Sequence, residues 1–125
     1  MKALPIIIAI VLILHGLVHL MGTVTYMKLG TVQGLAYKTT LLGGRWDLGE
    51  KGIAVYGLLW AAAAAGFIVA AIALAAGWGW YRPALMDVAA FSLVLTALDW
   101  RVAFAGVIVN VVILASLWLA PAIGR

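Results

Sequence analysis

Two imidazoles are the side chains best equipped for chemistry in this chain. His15 and His19 lie in the run Leu14-His15-Gly16-Leu17-Val18-His19-Leu20-Met21-Gly22, and the 125 residues contain 2 histidines in all. Positions four apart share one face of a helix. A pair at that spacing can bind a metal ion from one side. A third ligand would then be needed. Asp99 is the first candidate, with Asp47 or Glu50 behind it, and two histidines plus a carboxylate suit zinc or non-haem iron. Haem could take one of the two as an axial ligand, because two rings on one helix face cannot occupy opposite sides of one iron. A quinone would also be served, since its carbonyls want His, Tyr or Asn donors inside an apolar cleft. The cofactor stays open at this level between a metal ion, haem, a quinone and none. In the blandest case the rings bond to neighbouring helices and fix their register.

The elements that must position these rings belong in lipid. The chain is 67% hydrophobic and 10% charged, with mean hydropathy +1.20. A soluble domain is nearer half apolar and a quarter charged. A chain this short keeps much of its surface exposed, so the apolar excess must face a bilayer. There is no cysteine, which excludes disulfides, thiolate metal sites and thiol catalysis. The net charge of +4 comes from scattered basic residues rather than a block or stripe, so membrane flanks explain it and nucleic acid is not expected as a partner.

Residues 3–27, 52–81, 88–98 and 102–124 carry no charge. About 20 apolar residues cross a hydrocarbon core. The pattern predicts an all-α, four-helix transmembrane bundle, one domain over 1–125, with helices about 4–25, 52–77, 84–99 and 102–121. The first run is longer than the apolar core of a signal peptide and no Ala-x-Ala site follows it, so it reads as a span. The long connection, about 26–51, reads as a loop with room for a short interfacial helix. Asp47-Leu48-Gly49-Glu50 reads as a capping box opening helix two. Pro83 suits the first position of helix three, and Pro121 the end of helix four. Trp78, Trp80, Tyr81 and Trp118 suit one membrane interface, and Tyr26, Trp46 and Trp100 the other. Lys28, Lys38, Arg45, Lys51 and Arg101 fall on the long-loop side, against Lys2, Arg82 and Arg125 opposite, which favours a cytoplasmic long loop.

Polar residues recur on particular faces. His15, His19, Thr23 and Tyr26 form one stripe, and Ser92, Thr96 and Asp99 another. Helix four adds Asn110, with Gly106 a turn before it. Helix two adds Tyr56, and its Ala62, Gly66 and Ala70 form a small-residue face for close helix contact. Counted from the long-loop side at ~1.5 Å per residue, His19 lies roughly 9 Å deep, Ser92 about 10 Å, Asn110 roughly 12 Å and His15 about 15 Å. The opposite half is apolar except for Asp87 at its edge. This asymmetry predicts a polar pocket lined by His15, His19, Tyr56, Ser92, Asp99 and Asn110 that opens toward the long loop.

The histidine run, together with Thr40-Leu41-Leu42-Gly43-Gly44-Arg45-Trp46-Asp47-Leu48-Gly49 and the Asn110 segment, resembles a group of small bacterial four-helix membrane proteins. The resemblance spans most of the chain. It implies a four-span fold in the bacterial inner membrane and carries over no catalytic residue. More distantly, the layout is similar to the DoxX-like proteins, some of which are linked to quinone-coupled oxidation. No transporter-type repeat pair is visible. Three functions fit: an accessory protein that holds a small apolar ligand, lipid or quinone or docks to a larger membrane complex or a second copy of itself; a metal- or haem-dependent redox or hydrolytic protein; and a purely structural subunit. The sequence does not decide whether the protein is an enzyme.

Overall fold

The computed structural model describes residues 3–119. Four helices follow one another: α1 Ala3–Tyr26, α2 Gly49–Ala76, α3 Tyr81–Leu98 and α4 Trp100–Leu119. Each is long and apolar enough to cross a membrane. The sequence placed the same four, with ends that differ by up to three residues. Pro121 lies outside the described residues.

Local chemistry explains the ends. Gly77 adopts φ 77°, and the N–H groups of Gly77 and Trp78 bond to the carbonyls of Leu74 and Ala73 at 3.1 and 2.9 Å. This paired closure needs a left-handed residue, which glycine supplies at no steric cost. Between α3 and α4 only Asp99 interrupts, and α4 departs from helical geometry again at Ala103 (φ −104°, ψ 26°). Pro83 occupies the third position of α3 rather than the first, because the helix already begins at Tyr81. The first-turn N–H groups have no helical acceptor, so proline costs nothing there either.

The long connection holds a small hairpin rather than an interfacial helix. Strands β1 (Thr40–Leu41) and β2 (Trp46–Asp47) pair antiparallel around a turn of 3-10 helix at Leu42–Gly44. The expected capping box does not form. Asp47 Oδ1 accepts from the Gly49 N–H at 2.9 Å, which holds its carboxyl below the usual carboxylate range. Glu50 faces Lys28 at 3.8 Å instead, an exposed pair of little energetic weight.

Packing follows chain order: α1 lies on α2, α2 on α3 and α3 on α4. Glycines set the closest approaches. A Cβ on Gly16 would sit 3.0 Å from Phe67 Cβ, and one on Gly22 2.9 Å from the Trp60 ring. Gly66 lets α2 approach Val88 of α3, as its small-residue face predicts, but Ala62 of that face is exposed. Two apolar cores result. One, around Leu12, Phe67, Leu74, Leu85 and Leu117, fills the half away from the long loop. The other, around Tyr26, Leu41, Ile53, Tyr56 and Leu95, lies beneath the loop. Large apolar side chains such as Ile7, Val11, Leu14, Val55, Val94 and Val112 are about half exposed, as lipid-facing residues should be. α4 is the least covered helix, burying only Asn110 and Leu117. The interface aromatics divide: Trp46, Trp78, Trp80, Trp100 and Trp118 are exposed, whereas Tyr26 and Tyr81 are buried. Tyr26 is therefore a core residue, not an anchor.

Candidate functional site

The polar stripes of α1 and α3 meet Asn110 of α4 in a layer between the two cores. His19, Ser92, Thr96 and Asn110 are buried and His15 is half-buried. His19 Nδ1 lies 2.7 Å from the carbonyl of His15. Its Nε2 lies 2.6 Å from Ser92 Oγ. Asn110 Nδ2 donates to Ser92 Oγ at 2.8 Å and more weakly to Thr96 Oγ1 at 3.4 Å. Asn110 Oδ1 lies 3.2 Å from His15 Nε2. Thr96 Oγ1 returns its proton to the Ser92 carbonyl at 2.9 Å.

The roles of these atoms are forced. A backbone carbonyl only accepts, so His19 Nδ1 carries the proton. Its Nε2 then offers a lone pair, which takes the Ser92 hydroxyl proton. Ser92 Oγ, having donated, accepts from the Asn110 amide. Asn110 Oδ1 in turn requires a proton on His15 Nε2. Turning the Asn110 amide over would draw the Ser92 proton away and leave His19 Nε2 with no donor. The four groups close a circuit with both rings neutral, which suits a medium where an unpaired polar group is expensive. Phe67 packs edge-on against His15 at 4.8 Å between ring centroids, and Phe67 and Trp60 flank His19 at 5.2 Å each.

Four of the six residues expected at the site, His15, His19, Ser92 and Asn110, are thus brought together. Tyr56 and Asp99 are not. Tyr56 donates to the carbonyl of Leu95, and its ring lies tilted against that of Tyr26 at 5.6 Å between centroids. Asp99 accepts from the Tyr26 phenol on one oxygen and from the Lys38 ammonium on the other. Its carboxylate is committed to that pair, so the set His15, His19 and Asp99 is not assembled. Among the described residues, no three His, Cys, Asp or Glu side chains gather as metal ligands. His19 also has both ring nitrogens engaged, so no lone pair remains on it for a metal or haem iron.

Sequence reasoning left out three residues of these clusters. Thr96 stood on the polar stripe between Ser92 and Asp99, and that spacing was a usable signal. Tyr26 stood on the stripe of α1 and was assigned to the interface instead. Lys38 had no signal, since its partner is 61 residues away.

Nor does the polar layer line a pocket that opens toward the loop. Its members bond to one another, and of them His15 borders the larger of the cavities described below. Open space lies in the cleft between α1 and α4, which do not pack along their length, and further hollows border the loop beside Thr25, Leu29 and Tyr37 and beside Lys38, Asp99 and Arg101. At the loop end a cavity of about 190 Å³ is bounded by Val18, Met21, Tyr26, Trp60, Asp99 and the loop residues 33–35. Toward the other end a cavity of about 360 Å³ is walled by Ile7, Val11, Leu12, Leu85, Ile108 and Val112, with His15 and Ser116 among its few polar contributors. The His15–Asn110 bond crosses the cleft between them.

No family model, no curated protein and no solved structure matches this chain.

Proposed function

We propose that the protein is a small membrane binding protein that holds an apolar molecule, a lipid or a quinone-type compound, in the α1–α4 cleft. The observation that carries this reading is the cavity of about 360 Å³ beside His15. That volume is at the lower end of small-molecule sites, which are mostly apolar with a few placed polar groups. Its walls include half-exposed aliphatic side chains such as Ile7, Val11, Ile108 and Val112, so a ligand would enter from lipid. Among the described residues no third ligand is assembled, which favours an organic occupant over a metal ion. Placement in the bacterial inner membrane, with the long loop in the cytoplasm, belongs to the same proposal. It is supported by the histidine run and the basic residues of the loop.

The test is mass spectrometry of the molecules that copurify in mild detergent. Ser116 is exposed at the cavity rim, so Ser116→Phe should fold normally and fill the space. A compound retained by the wild type and lost from Ser116→Phe supports the cavity. Identical retention by both proteins would place any ligand elsewhere.

A further inference from the structure

The hydrogen-bond circuit has one open valence, and it belongs to His15. The Asn110 bond fixes the His15 proton on Nε2. Nδ1 of a neutral ring is then an acceptor. Among the described residues, no donor bonds to this nitrogen, and His15 is a wall residue of the larger cavity. Its edge-on contacts with His19 and Phe67 hold the ring in place. It cannot turn over to offer an N–H without giving up Asn110.

We infer that the cavity selects a hydroxyl-bearing apolar ligand, a hydrogen-bond donor to His15 Nδ1, over its carbonyl counterpart. This rests on the cavity reading above and narrows its ligand class: a quinol rather than a quinone, a fatty alcohol or diacylglycerol rather than a ketone. A carbonyl oxygen brought to Nδ1 sets two lone pairs against each other in an apolar cavity, where unpaired acceptors are costly. A hydroxyl completes the circuit. Ser116, at the rim, can both donate and accept, so it does not discriminate. Selectivity therefore comes from His15, and it is set at a distance by the chain Asn110, Ser92, His19 that fixes the His15 tautomer.

The chain has 2 histidines, so isotope-labelled histidine read by nitrogen NMR resolves both rings without ambiguity. The wild-type protein in nanodiscs would be titrated with a linear fatty alcohol and with the methyl ketone of equal length. Thermal unfolding would be followed in parallel. The free protein should show the proton on Nε2 in His15 and on Nδ1 in His19. The alcohol should shift the His15 Nδ1 signal and bind about tenfold more tightly than the ketone, the worth of one net hydrogen bond. A His15 ring protonated on Nδ1 would overturn the inference, and so would equal affinity for the two probes. Neither outcome touches the cavity reading, which depends on whether the probes bind at all. If neither probe raises the unfolding temperature, the cavity reading falls and this inference with it.

Discussion

Asn110 is the residue on which the polar layer turns. It is fully buried and bonds to His15, Ser92 and Thr96 from α4. Replacing it with alanine strands an imidazole N–H and removes the donor to Ser92. Interhelical hydrogen bonds in bilayers are worth about 0.6 to 1.7 kcal/mol each. Asn110→Ala should therefore lose about 2 kcal/mol, measured as a lowered unfolding midpoint in nanodiscs. Thr96→Val, which removes only the long bond, should lose less. Equal losses would mean that packing, not the circuit, dominates here. The importance of these side chains was legible in the sequence, because a polar group in a charge-free run must find a partner. Their exact pairing was not. Depth placed Asn110 between His19 and His15, and which of them it bonds is decided by helix rotation, which spacing does not fix.

At the scale of the helix, the α1–α2 seam depends on missing side chains. Gly22 lies against the Trp60 ring, and Thr23 Oγ1 donates to the Gly57 carbonyl at 2.7 Å. Backbones that approach this closely gain dispersion, which drives helix association in lipid. Gly22→Leu should cost 1–3 kcal/mol, roughly the usual penalty of overpacking. Gly79→Ala meets nothing within 4 Å and should change stability by less than about 0.5 kcal/mol. Thermal unfolding of both variants checks the contrast, and a silent Gly22→Leu would sink the account of the seam. The helices themselves were legible from charge-free run lengths. The seam was not, because α2 is rich in small residues on every side. The sequence singled out Ala62, Gly66 and Ala70, yet α1 settles over the Gly57, Trp60 and Ala64 side.

The whole molecule is an open series of helices rather than a closed ring. α1 and α4 are its ends, and the His15–Asn110 bond ties them across the cleft. Breaking that bond should let α4 move outward. The chain has no cysteine, so Val11→Cys and Val112→Cys, both on the cavity wall, can carry spin labels without background. Their distance distribution should be narrow with Asn110 present and broader or longer in Asn110→Leu. An unchanged distribution would show that α3 alone holds α4 in place. Such a cleft could admit a ligand sideways from the bilayer, which connects the tie to the proposed binding.

The sequence by itself determined the environment and the elements. Hydrophobic run length and the position of charges are one-dimensional quantities, and lipid permits only structures that satisfy their own backbone, so four spanning helices follow from them. It also determined that the polar stripes face inward, because a stripe in lipid is costly. The tertiary structure decided what the stripes touch. Rotation of each helix about its axis, the missing α1–α4 contact and the fold of the long loop depend on how side chains interlock. Those contacts set His15 against Asn110, sent Asp99 to Tyr26 and Lys38, and opened an apolar cavity between α1 and α4 away from the loop.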